Sequence, residues 1–180
     1  MVINKTFNNV IDTLKNLGVE HEQITTTTSG DIWEIDLAKN TLFPLMHINP
    51  VNVQTGQATL TYNFQIFVMD LVSERENWTQ TNFQSANNLS NNQEVLNETL
   101  QICTDIIGML RHSKWQSELT NDIDAPIVWG DGEFNIEPFS ERFDNEVTGW
   151  VFSLPIIVHN DFQTCEIPVR DRPIVVPTGV

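Results

Sequence analysis

Basic side chains are scarce in this chain: nine Lys and Arg stand against twenty-four Asp and Glu, a formal charge of -15 over 180 residues. That balance opposes binding to phosphate backbones and anionic membranes, so groove recognition of nucleic acid is not expected. Cys103 and Cys165 are the only cysteines. Two are too few for a disulfide framework, and Cys103 falls on an apolar helical stripe, so both are read as reduced thiols. No run approaches the length of a membrane span, and MVINKTFNNV lacks the basic-then-apolar pattern of an export signal. The expectation is a soluble, non-exported chain without membrane partners, in which the sequon at Asn77 is incidental.

Catalytic signatures are also missing. There is no G-x-S-x-G elbow, no phosphate-binding glycine loop, and no base near Cys103 in sequence. His21, His47, His112 and His159 are far apart and match no metal-ligand spacing. His159 with Asp161 reads as a turn after a strand. Asp122, Asp124, Asp131 and Glu133 are calcium-ligand types, but the glycine and closing glutamate of a twelve-residue calcium loop are not met. Glu137 and Glu141 could stand near each other as an acid and base pair, although nothing in sequence builds a pocket around them. No catalytic, cofactor-binding or metal-binding residue is assigned, and the expectation is a non-enzyme.

What the chain does have is core-forming pattern: 40% hydrophobic residues, 18% charged, and a polar remainder rich in Asn, Gln and Thr. The length suits one domain, assigned to residues 1–165, followed by an arm at 166–180. Phe7, Val10, Ile11, Leu14 and Leu17 recur every three or four residues and predict a helix over about 6–17, stopped by Gly18. Residues 20–30 read as an extended edge or loop ending in a Ser-Gly turn, and Trp33, Ile35 and Leu37 alternate as a strand. Residues 42–48 are apolar on both faces with Pro44, which suits an edge or bulged strand, and Asn49-Pro50 is read as its end.

The most regular run follows. Ala58, Leu60, Tyr62, Phe64, Ile66 and Val68 alternate with Thr59, Thr61, Asn63 and Gln65, predicting a long strand with one buried face. Phe67 and Met69 break the polar face, so the far end is expected to be covered on both sides. Residues 73–93 are polar with isolated Trp78, Phe83 and Leu89 and read as a long loop, interfacial or simply pinned by its aromatics. A second helix is predicted over about 91–112, with Leu96, Leu100, Cys103, Ile107 and Leu110 on one stripe and Val95, Ile102, Ile106 and Met109 beside it.

The stretch 129–157 carries Trp129, Phe134, Phe139, Phe143, Trp150 and Phe152. Gly130-Asp131-Gly132 is a hairpin signal between 127–129 and 133–136, residues 138–147 read as a connection, and 150–158 as the last strand, at an edge or bulged because of Pro155. Prolines 168, 173 and 177 favour an extended arm around Ile174, Val175 and Val176. The sum is an α+β domain: a mainly antiparallel sheet with two helices packed on one face, a long loop and an extended C-terminal arm.

Glu137-Pro138-Phe139-Ser140-Glu141-Arg142-Phe143, followed by Thr148-Gly149-Trp150 and an alternating strand, resembles a run near the C-termini of small tailed-bacteriophage neck and tail proteins. The physical reading of the same residues is that Pro138 breaks the strand, Phe139 and Phe143 anchor a crossing, and Gly149 permits tight entry to the return strand. The order of elements is similar to that of tail-terminator, tail-completion and head–tail connector proteins. The resemblance implies a ring-forming virion protein, assembled in the host cytoplasm, that meets portal, connector or tail proteins and passes DNA without specific binding. On that reading Trp78, Phe83, Ile174, Val175 and Val176 are candidate assembly contacts. A soluble acidic module for a basic protein partner is the alternative, and a small hydrolase using Glu137 and Glu141 is a third reading.

Overall fold

The computed structural model describes residues 5–32, 35, 42–57, 59–72, 91–111, 127–129, 133–142 and 146–159. In chain order the elements are α1 (Lys5–Glu20), β1 (Thr26–Ser29), β2 (Leu45–Thr55), β3 (Thr59–Leu71), α2 (Asn92–Arg111), β4 (Ile127–Trp129), β5 (Ile136–Arg142) and β6 (Glu146–His159). The strands form one sheet in the order β1-β2-β3-β6-β4, with β5 also on β6. Every pairing is antiparallel except β1 with β2. Both helices lie on one face, as the α+β reading requires.

That face is the main core. Val10, Leu14 and Leu17 of α1 and Ile102, Cys103, Ile106 and Leu110 of α2 close over Tyr62, Phe64, Ile66 and Val68 of β3 and Phe152, Leu154, Ile156 and Val158 of β6. Each such side chain contributes about 1.5–3 kcal/mol by leaving water. Trp150 ties the layers together by donating its indole N–H to the Leu96 carbonyl of α2 at 2.7 Å.

Several expectations are corrected. Gly18 does not stop α1, which runs to Glu20. A Cβ there would stand 2.5 Å from Thr27 Oγ1 and 2.9 Å from Met46 Sδ, so this glycine lets the helix lie against β1 and β2. Asn49-Pro50 does not end β2. The strand passes through it with a register shift between Pro50 and Asn52, and Pro50 is tolerated because β1 covers only Leu45 to Ile48.

The strands flanking Gly130-Asp131-Gly132 do not pair with each other. Trp129 pairs with Ile156 and Ile136 with Phe152, so β4 and β5 occupy successive stretches of one edge of β6. Residues 138–142, expected to be connection, belong to β5, and Pro138 sits on this edge strand opposite Trp150. Pro155 lies within β6 between β3 and the other two, not at the sheet's edge. It falls in the gap between the stretches paired to β4 and β5, where its missing N–H costs no ladder bond on that side.

The α2 stripe is centred differently from its apolar pattern. Val95, Thr99, Ile102, Cys103, Ile106 and Leu110 are buried, while Leu96, Leu100, Ile107 and Met109 are half-buried. Thr99 is tolerated inside because its hydroxyl donates to the Val95 carbonyl at 2.6 Å. Of the strand expected around Trp33 and Leu37 only Ile35 is described, and the loop at 73–90 and the arm at 166–180 lie outside the described residues.

At the far end of β3 the second face is covered too. Leu45, Met69 and Val147 are buried there, with Ile35, Phe43, Phe67 and Phe139 packed on them. Gly149 makes this possible: a Cβ on it would lie 2.0 Å from the Val68 carbonyl oxygen. The Phe67 and Phe139 rings meet edge-on at 5.4 Å between centroids.

Candidate assembly surface

Three described groups that could carry chemistry, His47, Cys103 and Glu137, are occupied in structural work or exposed singly. His47 is buried. Its Nε2 is 3.1 Å from the Gly30 carbonyl, which only accepts, so that nitrogen bears the proton and Nδ1 accepts from the Thr28 hydroxyl at 2.7 Å. Both ring nitrogens are thereby used in fastening β1 to β2. Burial pushes the Cys103 thiol up to about 12, which keeps it protonated and unreactive.

Glu137 is exposed on β5 and accepts from the Asn135 amide at 2.6 Å. Glu141 lies four residues along the same strand, about 13 Å away by strand rise, and its side chain is outside the described residues. Asp70 faces the helix side of the sheet, where desolvation first and then the Glu98 charge raise its pKa, opposed by a hydrogen bond from the Leu71 N–H. Among the described residues no three His, Cys, Asp or Glu stand together as a metal site, and no helix is long and apolar enough to cross a membrane.

The sheet offers something different. Away from the packed end, its helix-free face presents Asn49, Asn52, Gln54, Thr61, Asn63, Gln65 and Ser153, with no carboxylate, ammonium or guanidinium among the described side chains of β2, β3 and β6 there. Neighbouring strands link these amides to one another: Asn63 donates to Asn52 at 2.7 Å and Asn49 to Gln65 at 3.4 Å. In a chain of charge -15, the β2–β3–β6 part of this face is a neutral patch that a like-charged copy can approach, bordered on β5 by the exposed Glu137, which shares the face of Phe139.

Beside it runs an open strand edge. Beyond Ile48 no described strand pairs with the outer side of β2. The Gly56 N–H donates to the Thr59 carbonyl, and pairs alternate back from there, so Val53 and Thr55 carry their N–H and C=O groups on the side away from β3. Val51 and Val53 are each 50% exposed. Next to this edge a shallow depression of about 410 Å³ lies between α1 and the end of β1, lined by the apolar Phe7, Ile11 and Pro50 together with the charged Asp12 and Lys15.

The candidate contacts Trp78, Phe83, Ile174, Val175 and Val176 are outside the described residues. Reading Asn49-Pro50 as a stop conceals the β2 edge in the sequence. The alternation of Val51 and Val53 with Asn52 and Gln54 after it is the signal that could have found it. No protein-family model matches the chain, and no curated protein matches it.

Proposed function

We propose that this chain is a virion structural protein that forms an oligomeric ring at the portal–tail junction of a tailed phage, or at the end of its tail, with DNA passing through the channel. The observation that supports the reading is the pairing of an uncharged, amide-rich stretch of β2, β3 and β6 with a strand edge that no described strand pairs, on an otherwise strongly acidic body. Copies of net charge -15 repel one another, so contact between them needs neutral surface and directional backbone bonds, and this region supplies both. The acidic remainder suits a channel that DNA must traverse without sticking. On this reading Trp78 and Phe83, outside the described residues, would supply contacts to tail and portal neighbours. Nothing in this role calls for a cofactor.

Quantitative mass spectrometry of purified virions tests it. The expected result is a stoichiometric, multi-copy component, placed as a ring by cryo-electron microscopy of the particle. Absence from particles would instead support an acidic adaptor that binds a basic protein, for which the charge is the supporting feature.

A further inference from the structure

The ring reading calls for a contact that joins one copy to the next, and the half-edge of β2 that no described strand pairs limits the answers. We infer that this edge, residues 49–55, receives residues 173–177 of a second copy as an added strand, with Ile174 and Val176 seated in the depression beside Phe7 and Ile11. The inference rests on the assembly reading and deepens it.

Three features converge on that occupant. First, the edge and the depression form one receptor. A residue placed directly opposite Val53 shares its face, which is the face of Tyr62 and therefore the helix side. Phe7 stands there, its ring 5.6 Å from that of Tyr62 and 6.2 Å from that of Phe64. A strand continuing beyond the end of β1 would thus point alternate side chains toward the depression next to Phe7, Ile11 and Pro50.

Second, the prolines of the arm fit a single added strand. Backbone groups of alternate residues point to opposite sides of a strand. When Ile174 and Val176 turn theirs toward β2, residues 173, 175 and 177 turn theirs outward, and two of those three are prolines without an N–H. The new edge is then poor in donors, and a further strand gains little by adding to it. Ile174, Val175 and Val176 are β-branched and suited to the strand itself.

Third, charge and reach agree. Residues 166–180 hold Glu166 and Asp171 against Arg170 and Arg172, so the arm is neutral and the -15 belongs to the rest of the chain. The arm can therefore approach an acidic body that another body cannot. It follows β6, whose last residue His159 pairs with Thr59 at the same end of the sheet as the free half of β2. The chain from His159 to Pro173 can extend about 45 Å, against about 14 Å across three strand spacings. Its own edge is thus also within reach, and the choice of another copy's arm rests on the assembly reading, which needs a contact between copies.

Disulfide trapping between full-length chains tests the inference. One preparation carries Val53→Cys and the other Val176→Cys, both with Cys165→Ser, while Cys103 stays in place because it is buried. After mild oxidation of the mixture, a linked pair of the two variants is expected, at least about fivefold more abundant than any dimer in either preparation alone. Val175→Cys in place of Val176→Cys is expected to link about fivefold less, because its side chain points to the other face. Equal linking of mixture and single preparations overturns the inference. So does a link formed only within one chain when Val53→Cys and Val176→Cys are combined. Copies that associate by light scattering without linking also overturn it and leave the ring reading standing, since that reading fails only on the virion measurement.

Discussion

The two faces of β3 are made by one run of alternating residues yet meet opposite fates. Tyr62, Phe64, Ile66 and Val68 are buried under the helices, whereas Thr61, Asn63 and Gln65 remain only partly covered. The difference lies in what is laid on each face, since backbone and register are shared. Two amphipathic helices close one side, while on the other the described residues form a packed cluster where Phe67 and Met69 replace polar residues and Phe139 joins them. Among the described residues, stability is therefore concentrated on one side of the sheet, and away from the packed end no described element lies on the other.

The sharpest test of this asymmetry is a neighbouring pair of substitutions. Phe64→Ala is expected to lower unfolding free energy by about 3–5 kcal/mol, while Gln65→Ala changes it by less than about 0.5 kcal/mol. Denaturant titration reads both, and comparable losses would break the comparison. A smaller effect is expected at the helix contact. Gly18→Ala should gain up to about 1 kcal/mol of helix propensity but pushes a methyl group against Thr27 and Met46. A net loss of about 1–2 kcal/mol is expected, because tight packing resists added volume. A net gain in thermal stability would show that α1 does not lie so closely against β1.

The smallest effect concerns Asp70. Its folded-state pKa is raised above the ordinary 3.8, first by desolvation. The folded chain thus holds this proton more tightly than the unfolded one, and stability from this group falls as pH rises from about 3.8 through the raised value. Asp70→Asn retains an oxygen for the Leu71 N–H and removes the charge near Glu98. The variant is expected to be slightly more stable at neutral pH and to show a flatter pH dependence above pH 4. An unchanged pH profile would place Asp70 in water rather than under α2.

Much of the architecture is legible in the sequence because burial here follows simple periods. The three-and-four spacing of Val10, Leu14 and Leu17 identifies the buried face of α1, and the two-residue alternation from Leu60 to Val68 identifies β3 and its inner side. Local signals fail where pairing decides the outcome. Gly130-Asp131-Gly132 has turn composition, but composition cannot say whether the flanking strands pair with each other or both with β6. Pro50 and Pro155 suggest breaks or edges of whole strands, while the sheet accepts them at local gaps in pairing. Gly18 has the appearance of a helix stop because its close approach to Thr27 and Met46 is a tertiary fact. The open edge of β2 is hidden by the same ambiguity of Pro50, and the aromatic and arm candidates lie outside the described residues.

Amide hydrogen exchange at Val53 and Thr55 bears most directly on the claim that this region is kept open for assembly. Both N–H groups point away from β3, so in dilute single chains they should exchange quickly while Tyr62 and Phe64, in the middle of the sheet, exchange slowly. In assembled copies the two amides should become protected. Strong protection of Val53 and Thr55 in the dilute single chain, unchanged on assembly, would contradict the account.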